Sequence, residues 1–283
     1  MTTQTQTTPS PNTPNTPNME AVKTKLKATW EDGDYVSFAQ YMEDGACQIL
    51  EEWNIAPGTE LLDVACGAGQ IAIPAARAGV NVTGVDIAAN LVAHARGRAR
   101  IEGLDATFLE GDAEDLPFPD ASFDMITTLI GAMFAPQPDK VAAEFARVCR
   151  PGGTVRMVNW TPQGFVGQLF KVIGKHVAPP AGVVPYSLWG DEETVTERLG
   201  KHFDLKLTRK RYPLWHYPFG PEGVVELFRT YYGPTTRAFA AVGPEGEAAL
   251  RRDLVEVYTA HNKATDGTTL LDGEYLEVEG TRI

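Results

Sequence analysis

Short apolar runs alternate with helical segments between residues 57 and 160, and this alternation constrains the fold more than any other feature of the sequence. Successive strands that are separated by helices need crossover connections, which place the strands parallel in one sheet. The sequence therefore predicts a doubly wound α/β fold with a mostly parallel sheet. The five strands expected in this region cover residues 60–65, 80–86, 106–110, 122–129 and 154–159.

Composition and periodicity divide the chain into four parts. Residues 1–18 are rich in Thr, Pro, Asn and Gln and carry no charged side chain, which is typical of a disordered tail. Residues 19–56 predict an N-terminal helical cover, and residues 57–160 predict the ligand-binding core. Residues 161–283 are expected to complete the sheet and to carry a helical lid, at about 212–262, inserted before the last strand. Within that part, residues 163–190 are expected to be irregular.

Charge and cysteine content exclude several classes of protein. The formal net charge of −12 disfavours a nucleic-acid partner, because phosphate backbones repel an acidic surface. No apolar stretch reaches the roughly 18 residues of a membrane span. Cys47, Cys66 and Cys149 lack metal-ligand spacing, so we expect no metal site and a reducing compartment. These features favour a cytoplasmic protein, either a monomer or a homodimer.

A glycine turn follows the first predicted strand, and two carboxylates follow the next two strands. Gly67 and Gly69 suit a place where the backbone turns sharply against a ligand, because a Cβ atom would collide there. Asp86 lies about twenty residues further on, where a carboxylate can accept hydrogen bonds from ribose hydroxyls. Asp112 ends the third strand at the same sheet edge and can accept from an adenine amino group. The three positions together predict a site for an adenine nucleoside.

Asp63, just before the glycine turn, helps to distinguish between two adenine-containing ligands. A dinucleotide would share the turn and Asp86, but a carboxylate at this position disfavours a pyrophosphate. It suits a ligand with an ammonium and a sulfonium group, because cations seek carboxylates. A nicotinamide-dependent oxidoreductase and a catalytically silent binding protein with the same fold remain as alternatives.

The glycine turn, the acidic strand ends and the later motifs at Phe123–Asp124 and Arg150–Gly153 follow one another along the chain. Taken in this order, they resemble the motifs of the class I S-adenosylmethionine-dependent methyltransferases. Within that class the sequence is most similar to the methyltransferase type 11 domain, the group of the ubiquinone and menaquinone methylases. The resemblance covers about residues 55 to 160, and it implies a seven-stranded Rossmann-like sheet with an antiparallel final strand. It also implies S-adenosylmethionine as cofactor and S-adenosylhomocysteine as product. The motifs are Asp63–Gly69, Val82–Asp86, Gly111–Ala113, Phe123–Asp124 and Arg150–Gly153.

The resemblance assigns roles to individual residues of the cofactor site. Gly67 and Gly69 would contact the methionine part, Asp86 would hold the ribose, and Asp112 with the backbone of Ala113 would hold the adenine. The backbone near Thr128 and Leu129 would face the methionine end. Ala65 departs from the family, which more often has glycine at this position. The remaining residues expected at the cofactor are Asp63 and Ile87, together with Tyr35 as a cover.

The acceptor is expected to be a small molecule that attacks the methyl group in line. Aromatic and apolar residues after the fourth strand and in the lid favour an apolar or aromatic acceptor, because organic ligands bind in mostly apolar pockets. His216 lies in an aromatic segment and is the candidate general base. The residues predicted to line the acceptor pocket are Met133, Phe134, Trp160, Trp189 and Trp215.

Overall fold

The computed structural model describes residues 18–179 and 182–283. The tail predicted for residues 1–18 therefore lies outside the described residues, except for Asn18. The Asn18 side chain caps the first helix by accepting a hydrogen bond from the backbone N–H of Ala21 at 3.2 Å. Asn18 thus belongs to the helical part of the chain.

The described residues form nine strands and ten helices. The strands are β1 (Glu60–Val64), β2 (Asn81–Asp86), β3 (Ala106–Glu110), β4 (Phe123–Leu129), β5 (Cys149–Trp160), β6 (Phe203–Arg211), β7 (Trp215–Tyr217), β8 (Thr269–Leu271) and β9 (Glu274–Arg282). The helices are α1 (Met19–Trp30), α2 (Tyr35–Ala39), α3 (Glu43–Trp53), α4 (Ala72–Arg77), α5 (Ala89–Glu102), α6 (Pro138–Val148), α7 (Phe165–His176), α8 (Glu192–Leu199), α9 (Pro221–Tyr231) and α10 (Gly233–His261). Short 3₁₀ segments lie at Gln40–Met42, Gly131–Phe134 and Tyr186–Gly190.

Seven of these strands form one sheet in the order β3-β2-β1-β4-β5-β9-β6. The first five strands in that order are mutually parallel, and β9 runs antiparallel to both β5 and β6. The predicted mostly parallel sheet with an antiparallel final strand is confirmed. The strand order reverses direction between β1 and β4, and ligands of such sheets bind at the carboxyl ends of the strands beside that point.

Burial of both sheet faces explains the continuous apolar character of the central strands. Leu61, Leu62 and Val64 of β1 have no measurable exposure, as expected for a parallel strand covered by helices on both sides. The N-terminal helices also contact the far part of the sheet: the Trp53 indole N–H donates to the buried Glu277 carboxylate on β9 at 2.9 Å. The helical cover is therefore part of the same core as the sheet.

The segment after β5 corrects the prediction that residues 163–190 are irregular. The structure has helix α7 there, with Phe165, Val166, Leu169 and Val172 buried at helical spacing. Gly167 obscured the pattern, since glycine is a poor helix former. A Cβ atom at Gly167 would lie 2.5 Å from the Pro162 carbonyl oxygen, so close packing requires glycine at this position. Helix α7 packs against α10, which lies in the segment predicted to be the lid.

Candidate cofactor and acceptor site

One cavity runs from the carboxyl edge of the sheet to the inner side of the lid. It brings together residues that are far apart in the sequence, from α1, the ends of β1 to β5, α7, α9 and α10. Most of the residues predicted for the cofactor and the acceptor line this single space. They are Tyr35, Asp63, Ala65, Gly67, Asp86, Ile87, Asp112, Ala113, Leu129, Phe134, Trp160 and Trp215.

Five predicted site residues do not line the cavity. Gly69 shapes the turn from behind, with φ of 89°, and a Cβ atom there would lie 2.8 Å from Ile73. The Thr128 hydroxyl accepts from the Ala132 backbone N–H at 3.0 Å and so supports the loop after β4. Met133 and Trp189 also do not line the cavity, because both are buried in the hydrophobic core.

His216 is the fifth of these residues, and the structure gives no support for it as a base. It is the middle residue of β7, whose outer two residues are buried while His216 is exposed. Alternate residues of a strand point to opposite faces, so His216 faces away from the cavity. Among the described cavity-lining residues there is no histidine.

Asp86 organises the glycine turn as well as facing the cavity. One carboxylate oxygen accepts from the Gly67 backbone N–H at 2.8 Å, and the other accepts from the Ala88 backbone N–H at 2.8 Å. Burial raises the pKa of the carboxyl, and the backbone donors at Ala88 and Gly67 oppose this rise. The side chain can still accept from a ligand, because each carboxylate oxygen has a second lone pair. A ribose bound here would therefore add its hydrogen bonds to the two that Asp86 already accepts from the backbone.

Ala65 occupies a position at which the family that the sequence resembles more often has glycine. The backbone conformation of Ala65 explains why glycine is common there. Its φ of 55° lies in the left-handed region, which costs a residue with a Cβ atom about 1–2 kcal/mol. The methyl group fits because residue 131 is glycine: a Cβ atom on Gly131 would lie 2.6 Å from that of Ala65. Ala65 and Gly131 therefore share a space that admits only one side chain.

Asp63 is a buried carboxyl group at the base of the turn, 2% exposed. Burial raises its pKa to about 7, while hydrogen bonds from the Thr127 hydroxyl and the Ala72 backbone N–H lower it and the charge of Asp86 raises it further. The Thr127 bond measures 3.2 Å. No cationic side chain pairs with Asp63 among the described ion pairs. A buried carboxyl group of this kind suits the ammonium group of a bound ligand.

Helix α1 is held over the Asp112 end of the cavity by two lysines that the sequence analysis did not assign. Lys23 Nζ donates to Asp112 Oδ2 at 2.5 Å and lies 2.7 Å from Glu114, whose side chain is fully buried. Lys27 donates to the Ile87 carbonyl oxygen at 3.0 Å and also pairs with Glu110. Lys23, Leu26 and Trp30 of this helix line the cavity. The four-residue spacing of the lysines in the sequence was the one available signal.

Aromatic side chains close the cavity on the side of α2. Trp30 meets Tyr35 edge-on with ring centroids 5.9 Å apart, and it contacts Phe134 at 5.0 Å. Tyr35 itself lies against the glycine turn, with a ring carbon 3.7 Å from the place of a Cβ atom on Gly67. The position of Tyr35 is compatible with the predicted role as a cover, which stays a prediction.

Two structural findings concern membrane spans and metal sites, neither of which the sequence predicts. No described helix combines the length and the apolar character that crossing a bilayer requires. Within residues 18–179 and 182–283, no group of three or more His, Cys, Asp or Glu side chains is arranged to hold a metal ion.

Comparisons with known proteins agree with this geometry. Residues 62–157 match the family described as a methyltransferase domain. The uncharacterised protein Rv1405c of Mycobacterium tuberculosis is 36% identical over 253 residues, which cover 88% of this chain and 91% of that protein. The demethylmenaquinone methyltransferase of Thermus thermophilus is 36% identical over 126 residues, 43% of this chain and 57% of that protein.

A solved structure shows the same fold. The YcgJ protein of Bacillus subtilis superposes with a TM-score of 0.54 at 19% identity, covering 84% of this chain and 98% of that one. The family does not favour the nicotinamide-dependent alternative. The chain therefore belongs to the class I S-adenosylmethionine-dependent methyltransferases with a type 11 domain, and its cofactor is S-adenosylmethionine.

Proposed function

We propose that the protein transfers the methyl group to a neutral, apolar or aromatic small molecule that binds between the sheet edge and the lid. The observation that supports this proposal is the uneven distribution of charged residues along the cavity. Its described charged residues are Lys23, Asp63, Asp86 and Asp112, all at the sheet edge or on α1. The wall contributed by α7, α9 and α10 is neutral, and burial of a charged acceptor against it would be costly.

Two tryptophans, at the end of β5 and at the start of β7, give the cavity a flat aromatic surface. Trp160 and Trp215 stack with ring centroids 5.2 Å apart and an interplanar angle of 19°. Gly273 makes room for the pair, because a Cβ atom there would lie 2.7 Å from the Trp215 ring and 3.0 Å from the Trp160 ring. A planar apolar acceptor could pack against this surface, since offset stacking between aromatic rings is favourable.

The turn held by Asp86 and the three carboxylates of the cavity suit S-adenosylmethionine. We infer that Asp86 holds the ribose, Asp112 and Ala113 hold the adenine, and Asp63 faces the ammonium group. When bound, S-adenosylmethionine supplies a methyl group already activated by the positive sulfur. The chain's own contribution is then to align the acceptor in line and to keep water out, which the buried aromatic lining serves.

No histidine is found among the described residues that line the cavity, so the acceptor atom is expected to attack without a strong general base. His176 and His261 are engaged elsewhere, with Asp253 at 2.9 Å and with Gln168 at 3.1 Å respectively. The uncharged hydroxyls of tyrosine and threonine residues remain as polar groups near the acceptor. An acceptor whose nucleophile is readily ionised, such as a phenol or a thiol, suits this arrangement.

A methyl-transfer screen tests the proposal. With S-adenosylmethionine labelled in its methyl group, we expect transfer to at least one of 2-naphthol and thiophenol. Transfer to glycine, guanidinoacetate and nicotinate should be at least about tenfold slower, because the lid wall carries no charge that could stabilise them. A preference for the charged set would contradict an apolar acceptor.

Replacing Lys23 by methionine is expected to release S-adenosylhomocysteine about fivefold faster. The substitution removes the contacts to Asp112 and Glu114, and a partly buried ion pair of this kind contributes on the order of 1 kcal/mol. Stopped-flow displacement measures the dissociation rate. Lys25→Met changes an exposed lysine of the same helix and serves as the control. Equal dissociation rates in the two variants would show that α1 does not retain the cofactor.

A further inference from the structure

One buried polar group in the cavity wall has no hydrogen-bond partner among residues 18–179 and 182–283. Tyr258, on α10, is 1% exposed and lines the cavity. Its hydroxyl oxygen has no hydrogen-bond partner among the described residues. Buried hydroxyls are paired in the great majority of cases, since an unpaired one has lost its hydrogen bonds to water without replacement.

The surroundings of Tyr258 are aromatic and apolar. Its ring lies 5.2 Å from that of Phe165 and 5.5 Å from that of Phe228, and Leu254 precedes it by one helical turn. The unpaired hydroxyl is therefore a polar group among mainly apolar and aromatic neighbours. Such polar groups are what orient a ligand in an otherwise hydrophobic pocket.

Two other polar groups that line the cavity, on Tyr212 and Trp215, already have hydrogen-bond partners. The Tyr212 hydroxyl donates to the Met42 carbonyl oxygen at 2.8 Å. The Trp215 indole N–H donates to the Tyr217 hydroxyl at 2.8 Å. These groups hold the wall together, whereas the Tyr258 hydroxyl makes no such contact.

We propose that Tyr258 is the specificity-determining residue of the acceptor site and donates a hydrogen bond to an oxygen atom of the acceptor. This inference rests on the proposed apolar acceptor site. It narrows the acceptor to an apolar or aromatic molecule that carries a hydroxyl or carbonyl oxygen. Burial holds the pKa of the Tyr258 hydroxyl well above its usual value of 10, so the group keeps its proton and acts as a donor.

The test compares two probes that differ in one hydroxyl group. Binding of 2-naphthol and of naphthalene is measured by tryptophan fluorescence in the presence of saturating S-adenosylhomocysteine. The wild-type protein should prefer 2-naphthol by about fivefold, the equivalent of one neutral hydrogen bond. Tyr258→Phe should bind both probes equally. Its thermal midpoint should stay unchanged or rise, because an unpaired buried hydroxyl is removed.

Tyr212→Phe is the matched control, because that tyrosine lines the same cavity but already has a partner. It should lower the thermal midpoint and keep the preference for 2-naphthol. A Tyr258→Phe protein that still prefers 2-naphthol would overturn the role of Tyr258 while leaving the apolar acceptor site intact. Failure of both probes to bind the wild-type protein would overturn the acceptor site itself and this inference with it. Calorimetric binding of S-adenosylhomocysteine to each variant keeps both results separate from loss of the cofactor site.

Discussion

Asp86→Ala is expected to weaken the binding of S-adenosylhomocysteine by about 100-fold. The substitution removes the carboxylate and with it the proposed hydrogen bonds to the ribose. Hydrogen bonds to a charged group contribute about 1.5–3 kcal/mol. It would also release the Gly67 and Ala88 backbone N–H groups, each held at 2.8 Å, so the turn would no longer be fixed before the ligand binds. Together these losses are on the order of 3 kcal/mol, which corresponds to about two decades in affinity. Isothermal titration calorimetry measures the change.

The control for Asp86→Ala is Asp124→Ala. Asp124 also accepts a backbone N–H, from Glu60 at 3.0 Å, and pairs with Arg150 at 2.5 Å. It lies near the start of β4, at the sheet edge opposite the cavity, and is not among the cavity-lining residues. Asp124→Ala should lower stability and leave the affinity for S-adenosylhomocysteine within about twofold of the wild-type value. An equal loss of affinity in the two variants would mean that Asp86 acts only through the fold.

Local patterns allowed the cofactor half of the site to be predicted from the sequence. Asp86 ends strand β2, and Gly67 and Asp112 come shortly after β1 and β3. The carboxyl ends of parallel strands meet at one edge of the sheet whatever the rest of the chain does. The alternation of strands and helices likewise required no long-range information. Both predictions depend on chain geometry over fewer than about thirty residues.

The rest of the cavity could be predicted only in part, because its residues meet only through tertiary packing: Phe134, Trp160 and Trp215 line it as predicted, whereas Lys23 and Tyr258 were not assigned. Lys23 contacts Asp112 across 89 residues of sequence. Tyr258 is one of many aromatic residues in the second half of the chain, and nothing in its local sequence shows that its hydroxyl would be left without a partner. His216 was misplaced for the same reason: an aromatic neighbourhood in sequence does not say which face of a two-sided strand is buried. Only the fold separates wall residues from core residues.

Raising the pH from 5.5 to 7 is expected to tighten the binding of S-adenosylhomocysteine by up to about tenfold per pH unit. The reason is Asp63, whose pKa burial raises to about 7 in the folded protein. Below that pH the carboxyl is protonated, and it must release a proton before it can pair with the ammonium group of the ligand. Above about pH 7.5 the carboxylate is already formed, so the affinity should level off. Calorimetry in two buffers of different ionisation enthalpy counts the proton that is released.

The same carboxyl makes the unliganded protein lose stability as the pH rises. Between the unfolded value of 3.8 and the folded value of about 7, the folded chain holds a proton that the unfolded chain has lost. The free energy of unfolding should therefore fall over this interval, by at most about 4 kcal/mol, and remain low above pH 7. Asp63→Asn mimics the protonated group, so at pH 8 it should unfold at higher denaturant concentration than the wild-type protein while binding the ligand less tightly.

Asp63→Asn also distinguishes the effect of the Asp63 titration on binding from that of the Asp86 titration. Burial raises the pKa of Asp86 as well, and that group remains in the variant, so any pH dependence left in Asp63→Asn belongs to Asp86 or to the ligand. We expect the affinity of the variant to be nearly flat between pH 5.5 and 7. A slope as steep as that of the wild-type protein would show that Asp63 does not face the ammonium group. A gain in stability at pH 8 combined with a loss of affinity would show that the carboxylate lowers the stability of the fold and stabilises the bound cation.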